Sequence, residues 1–432
     1  MSTRTVTGHN NSRADGQVCV PGDKSIAHRV LILGAMARGT TYARGVPDSD
    51  DIKATIRCLE ALGVRCERAD TAVSIEGLDK MKFQNPAQAI DCGGSATTLR
   101  LMMGAIAGRG QSATLTGTET LCGRPIDRVI DPLTRMGARF DASRSNTYAP
   151  VTVVAPEAGL EPIDYDLTIP SAQVKSAIIL AGLSSRSGRT RIRGAIGSRD
   201  HTERLVPRMG GSLVLTDDAI IVEPSQLTGI ATTIPGDPSA AAFHAAAAAM
   251  LRNSRVVIRS VCTNPTRMGF FEALSWMGAD VTTEDRTKDE FEPVGDITVR
   301  WAPLRSIAID FDAVPYLIDE IPLLIMLACF AEGETVIHGV SELHIKESDR
   351  ATCTVEGLRK MGAQLRLDGD SIRVQGGHPL HGAHLDPCGD HRMSMMFTLA
   401  AHAATGTSTI EGVECEDKSY PGFIGALQEI IQ

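Results

Sequence analysis

The chain has 432 residues, 43% of them hydrophobic, and a formal net charge of −9 at pH 7. That length is too great for one compact core and fits two domains of about 200 residues each. The acidic balance argues against a general nucleic-acid binder, whose affinity comes from basic phosphate contacts, so any anion site must be local.

The ten cysteines are scattered, with no C-x-x-C pair and no histidine at zinc-like spacing, and read as reduced thiols of a cytoplasmic protein with no metal site. The polar stretch Met1 to Gly16 lacks the apolar core of a secretion signal. The most apolar run, Ile321 to Ala331, is too short to span a bilayer.

In chain order, an apolar strand around Gly16 to Val20 is broken by Pro21-Gly22, and Asp23 or Ser25 caps a helix that runs through Val30 to Met36. Lys24 and Arg29 then lie near a helix N-terminus, whose unpaired N–H groups and partial positive charge suit an anion. On this stretch alone, solvated charges on a first helical turn are an equal reading.

Half a chain later, Pro235-Gly236-Asp237-Pro238-Ser239 repeats the design and again enters an apolar helix, so the chain reads as duplicated. Within each half a finer repeat emerges: a polar cap, an apolar helix, a small turn and a β-rich segment. Helices of this kind are expected to begin near Lys24, Ser95, Ser171, Ser239, Asp319 and Asp390. A second phrase, Leu or Met followed by Gly and a strand, recurs at Gly63, Gly137, Gly210, Gly278 and Gly362. A sixth copy should follow the last helix, Phe423 to Ile431, where the chain stops. The strand around Gly16 to Val20 is therefore expected to complete the sixth unit, placing the first twenty residues with the second half.

Two polar turns stand between these landmarks. Pro47-Asp48-Ser49-Asp50-Asp51 reads as a helix cap rather than a metal site. Asp91-Cys92-Gly93-Gly94-Ser95-Ala96 is a small-residue turn that lets a ligand approach the backbone, without the G-x-G-x-x-G or P-loop lysine of a nucleotide loop.

Seven phrases, in order along nearly the whole chain, now carry a resemblance: Pro21 to Ser25, Arg124-Pro125, Ser171 to Ser176, Ser198 to Arg204, Ile318 to Glu320, Lys346 to Arg350, and Asp390 to Arg392. The chain resembles the EPSP synthases (3-phosphoshikimate 1-carboxyvinyltransferases) of the enolpyruvyl transferase family. The resemblance implies an α/β fold of two similar domains, each of three βαβαββ units with helices packed inward, like an inside-out α/β barrel. Residues 21–235 would form the first domain and 1–20 with 236–432 the second, with the active site in the cleft between them.

The implied reaction moves the enolpyruvyl group of phosphoenolpyruvate to the 5-hydroxyl of shikimate 3-phosphate, a step toward chorismate and the aromatic amino acids. It implies no cofactor and no metal, the two small-molecule substrates as partners, no nucleic acid or membrane, and a monomer. Both substrates are anions, and a local field from helix N-termini and Lys24, Arg29, Arg100, Arg124, Arg199, Lys346, Arg350, Arg392 and Lys418 would hold them despite the acidic whole.

Carried over residue by residue, the shikimate 3-phosphate site is Lys24, Ser25, Arg29, Ser171, Ala172 through its backbone, Gln173, Ser198, Arg199, Asp319 and Lys346. The phosphoenolpyruvate site is Lys24, Gly94, Ala96, Arg124, Gln173, Glu347, Arg350, Arg392 and Lys418. Asp319 and Glu347, assisted by Lys24, are the candidates for moving protons on and off the reacting atoms.

Departures from the family pattern are Gly94 for the usual Asn, Ala96 for the common Gly, Ala27 for Ser and His344 for Arg. Ala96 implies reduced sensitivity to glyphosate. Together these changes leave a second acceptor open, such as the 3'-hydroxyl of uridine monophosphate. Cys122 lies too close to Arg124-Pro125 for the loop cysteine of the sister UDP-N-acetylglucosamine transferases and reads as an incidental thiol.

Overall fold

Side-chain caps start five of the six interior helices. Asp23 Oδ1 accepts from Ile26 N at 2.9 Å, Ser95 Oγ from Thr98 N at 3.2 Å and Ser171 Oγ from Val174 N at 3.4 Å. Asp237 and Asp390 cap in the same way through Ser239 N and Arg392 N, each at 2.8 Å. A cap of this kind contributes about 1 kcal/mol. The helices they open are Lys24–Met36, Ala96–Gly108, Ala172–Gly182, Pro238–Met250 and His391–Ala403. The sixth, Ile321–Ala328, begins after Glu320 with Pro322 in its first turn. Each is apolar nearly all round, and Pro238–Met250 and Ile321–Ala328 bury every residue, as interior helices do.

The computed structural model describes every residue except Met1, Asn10, Asn11, Lys80, Met81 and 288–290, so three residues of the polar stretch Met1 to Gly16 lie outside the described residues. The chain divides into two compact units, Gly22–Ile234 and Met1–Pro21 with Pro235–Gln432. Among the described residues no helix is long and apolar enough to cross a membrane.

In the Gly22–Ile234 unit three four-stranded sheets flank the interior helices. Each has a short lead strand parallel to a second strand, then two antiparallel ones. In one sheet Asp164–Leu167 runs parallel to Thr190–Gly194, which pairs antiparallel with Ala219–Val222, and that in turn with Leu213–Leu215. A Cβ on Gly104 would run into Ala177 of the neighbouring interior helix, so glycine there sets how closely the two helices pack.

The unit of Met1–Pro21 and Pro235–Gln432 repeats the plan in two four-stranded sheets and one of three strands. Here the expectation for the N-terminus needs correction. The strand Asp15–Cys19 runs parallel to Arg255–Cys262 and leads the fourth sheet. It is Thr3–Gly8 that completes the sixth, antiparallel to Gly406–Glu411. The mirror of this arrangement occurs in the other unit, where Ala231–Thr233, just before the second Pro-Gly, leads the sheet of Arg38–Arg44.

Each Pro-Gly therefore marks a place where the strand just finished and the helix about to start belong to different units. Gly22 is needed there because a Cβ would collide with the Gly45 carbonyl oxygen. Pro21 O accepts from Asp237 N at 2.8 Å, tying the two repeated phrases together within one unit.

Candidate functional site

In the Gly22–Ile234 unit the starts of the three interior helices carry the carried-over residues. Lys24, in the first turn of its helix, forms an ion pair with the buried Asp51 at 2.7 Å. Within the turn Pro47 to Asp51, Ser49 is the N-cap residue, while Asp51, already in the helix, fixes the position of the lysine. Beneath this pair runs a line of buried hydroxyls: His28 Nδ1 to Thr55 Oγ1 at 2.7 Å, Thr55 to Thr98 at 2.7 Å, and Thr98 Oγ1 to Ser95 Oγ at 2.8 Å. It joins the Lys24–Met36 helix to the cap of Ala96–Gly108. Burial drives the His28 pKa down to about 3, so the imidazole is neutral.

Arg29 is buried and donates to protein from all three nitrogens, to Thr202 Oγ1 at 2.7 Å, Ser176 Oγ at 2.9 Å and Ser25 O at 2.8 Å. Arg199 reaches Ser25 Oγ at 3.3 Å. Lys24, Ser25, Arg29 and Arg199 are thus brought together. Lys175 Nζ holds the loop that presents Ser198 and Arg199, donating to Ile196 O at 2.9 Å and Ser198 O at 3.3 Å while paired with Glu203 at 2.6 Å. The buried Lys175–Glu203 pair joins these two sequence phrases in space.

Gln173 is oriented from both ends. Its Oε1 accepts from Arg100 Nη1 at 2.5 Å and its Nε2 donates to Thr97 Oγ1 at 3.0 Å. Arg100 also donates to Pro125 O at 2.7 Å, so it links the Arg124-Pro125 segment to Gln173. Ser171 is the N-cap and Ala172 the first helical residue, whose N–H has no intrahelical partner. Gly94 lies in the turn before the Ser95 cap, and Ala96 is the first residue of the next helix, with 5% of its surface exposed.

In the other unit one guanidinium organises the site. Arg350, at the start of helix Arg350–Lys360, is buried and donates to Asp319 Oδ1 at 3.0 Å, Glu347 Oε2 at 2.6 Å and Asp390 Oδ2 at 2.8 Å. Burial opposes its charge, but Asp390, Glu347 and Asp319 outweigh that and hold its pKa above the ordinary arginine value. Asp319 is not a cap. It lies one residue ahead of the N-cap Glu320 and turns its carboxylate to Arg350.

Two further cations stand around this cluster at more than hydrogen-bonding distance. Arg392 is 3.7 Å from Asp319 and 3.5 Å from Glu320, and Lys418 is 3.8 Å from Glu347. Lys346 follows the 3-10 turn Val340–Ile345, next to Glu347, and is partly exposed. His344 pairs with Asp349 at 2.7 Å and so supports the cap of the Arg350 helix.

The sequence alone assigned no role in this network to Glu320 or Arg267. Glu320 accepts from Ser239 Oγ, and the buried Arg267 donates to Ser239 Oγ at 3.1 Å and to Asp237 Oδ1 at 2.8 Å. The one local signal was the adjacent acid Glu320 directly after Asp319. Among the described residues no cluster of side chains suits a metal ion.

A family model described as EPSP synthase (3-phosphoshikimate 1-carboxyvinyltransferase) matches residues 9–427. The chain is 42% identical over 421 residues to the 3-phosphoshikimate 1-carboxyvinyltransferase of Synechococcus sp. (strain JA-3-3Ab), covering 96% of this chain and 94% of the relative. It is 41% identical to that of Geobacillus kaustophilus, covering 98% and 99%. The structure of EPSP synthase from Acinetobacter baumannii superposes with a TM-score of 0.87 at 34% identity, covering 100% of this chain and 99% of that one. The enolpyruvyl transferase NikO from Streptomyces tendae shares the fold with a TM-score of 0.79 at 18% identity, covering 99% and 98%. With its sheet-flanked interior helices, its repeated units and a match along nearly its whole length, the chain belongs to the EPSP synthase family.

Proposed function

We propose that the chain transfers the enolpyruvyl group of phosphoenolpyruvate to the 5-hydroxyl of shikimate 3-phosphate, releasing phosphate, in the cytoplasm and as a monomer. The observation that carries this reading is the pair of carboxylates, Asp319 and Glu347, on one buried guanidinium with Arg392 and Lys418 close by.

The reaction requires a base for the attacking hydroxyl, an acid for the methylene carbon, and then reversal of the carbon protonation as phosphate leaves. Asp319 and Glu347 serve these proton transfers. Lys24, positioned by Asp51, provides a positive charge on a flexible side chain. Arg392 and Lys418 hold their carboxylates at 3.5 to 3.8 Å, so an incoming phosphate or carboxylate can engage them without first breaking a hydrogen bond to those acids.

Lys24, Ser25, Arg29, Ser171, Ala172, Gln173, Ser198, Arg199, Asp319 and Lys346 are assigned to shikimate 3-phosphate. Lys24, Gly94, Ala96, Arg124, Gln173, Glu347, Arg350, Arg392 and Lys418 are assigned to phosphoenolpyruvate. The anchoring of Gln173 by Arg100 and Thr97 supports a fixed amide at the first site, and the many protein contacts of Arg29 support a role in holding Ser25.

The test is phosphate release from phosphoenolpyruvate by the purified protein, with and without shikimate 3-phosphate, and the product mass. Release that depends on shikimate 3-phosphate and yields its enolpyruvyl ether is expected. Release with uridine monophosphate in its place, and none with shikimate 3-phosphate, would overturn the acceptor assignment.

A further inference from the structure

Two turns in the chain are built alike. In one, Asp91 Oδ1 accepts from Gly93 N at 2.7 Å, Gly93 has φ of 57°, and the Cys58 thiol of the adjacent helix lies 3.7 Å from Asp91 O. In the other, Asp386 Oδ1 accepts from Cys388 N at 2.7 Å, Cys388 has φ of 55°, and the Cys353 thiol lies 3.6 Å from Asp386 O. The left-handed position filled by glycine in the first turn is filled by cysteine in the second. A side chain there carries a steric cost that glycine does not, of order 1 kcal/mol or more. The consequence is specific: the Sγ atoms of Cys388 and Cys353 are 3.0 Å apart.

We propose that Cys353 and Cys388 form an oxidisable thiol pair, a modification site at which a peroxide converts two thiols into one disulfide. Cys388 is exposed and Cys353 is buried, which assigns their order of reaction. The Cys388 thiolate attacks hydrogen peroxide; an S–O bond forms, the O–O bond breaks, and hydroxide leaves to be protonated to water. Cys353 sulfur then attacks the sulfenic sulfur; the S–S bond forms, the S–O bond breaks, and a second water leaves with the Cys353 proton. Burial and the Cys388 thiol raise the Cys353 pKa, which suits a resolving rather than a first-attacking thiol.

The pair straddles the Arg350 cluster. Cys353 is one helical turn beyond Arg350, and Cys388 is two residues before Asp390, the carboxylate on Arg350 Nε at 2.8 Å. Closing the sulfurs to a bond of ~2.05 Å draws them together by about 1 Å. That pulls the Asp390 turn against the helix that starts with Arg350, and geometry shifts of this size can cost up to ~10²-fold in rate. Cys58 and Cys92 are an internal control: their sulfurs are 3.9 Å apart and both residues are wholly buried.

The experiment treats the whole protein with hydrogen peroxide, blocks remaining thiols, and digests it without reductant for mass spectrometry. A Cys353–Cys388 linked peptide, 2 Da lighter than the reduced pair, is expected, with Cys58 and Cys92 still alkylated. The linkage is read independently of the proposed reaction; its effect on turnover rests on that reading. A fall of about tenfold in turnover, restored by dithiothreitol, is expected for the wild type. Cys388→Gly, which places at this turn the residue its counterpart has, and Cys353→Ala are each expected to keep basal activity and lose the sensitivity. Absence of the linked peptide, or its appearance without any change in turnover, overturns the site or its effect respectively. Equal inactivation of Cys388→Gly by peroxide overturns the effect as well.

Discussion

Asp319 and Glu347 are held by the two terminal nitrogens of a single guanidinium, Arg350 Nη1 at 3.0 Å and Nη2 at 2.6 Å, while Asp390 takes Nε. No other side chain can serve three carboxylates in fixed directions, because lysine has one charged nitrogen and no planar fork. Arg350→Lys is therefore expected to lower kcat/KM by about 10²-fold or more and to destabilise the fold by ~3 kcal/mol, since it leaves buried carboxylates incompletely paired. Steady-state kinetics with urea unfolding on the same preparation checks both. Retention of activity within about twofold would remove Arg350 from the site.

Lys24 depends on Asp51 for its position, and the pair is largely buried at 2.7 Å. Asp51→Asn should keep a hydrogen-bonding group but release the charge, lowering kcat by about tenfold or more with a smaller change in stability than Asp51→Ala, for which ~3 kcal/mol is expected. If Asp51→Asn turns over normally, Asp51 is only a structural carboxylate.

Ala96 opens its helix with one methyl group beyond the usual glycine and is 5% exposed. A single methyl in a tight site discriminates ligands by about 10- to 200-fold. Ala96→Gly is expected to lower the inhibition constant for glyphosate by at least about tenfold while changing the KM for phosphoenolpyruvate by less. Equal inhibition of the two proteins would show that Ala96 sets no selectivity.

His28 and His244 are buried and neutral, with burial driving their pKa values down to about 3 and about 4. The unfolded chain takes up protons below its ordinary histidine pKa near 6.5 while the folded protein does not, so stability is full above about pH 6.5 and is lost as pH falls toward 4 and 3. The expected loss between pH 7 and pH 5 is roughly 2 kcal/mol per histidine. Urea midpoints across that range measure it. His28→Asn, which can keep the bond to Thr55, should reduce the slope; an unchanged slope would mean that His28 titrates normally.

Five of the six interior helices were legible because their starts are chemical: Ser95, Ser171 and Asp390, for example, cap where a polar residue meets an apolar run. The sheet joined by an N-terminal strand was not. Asp15–Cys19 and Thr3–Gly8 are both short strands whose own residues say nothing of a partner more than two hundred residues away. The same limit applied in the site. Lys24, Asp319, Glu347 and Arg350 could be given roles by motif, whereas Asp51, Arg267 and Glu320 could not, because their partnerships with Lys24, Asp237 and Ser239 exist only after folding. Spacing reveals a helix; it does not reveal an ion pair across two of them.

The exchange of strands at the two Pro-Gly phrases has a consequence for synthesis on the ribosome. Residues 22–234 form one unit from contiguous chain and can fold as soon as they emerge, while the unit around them must wait for the C-terminal half. Thr3–Gly8 waits longest, because its partner Gly406–Glu411 emerges roughly four hundred residues later, about 20 to 80 s at ordinary translation speeds. Its sequence, Thr-Arg-Thr-Val-Thr-Gly, has one strongly apolar side chain and one charge, a composition that keeps a solitary strand in solution until its place in the sheet has been made.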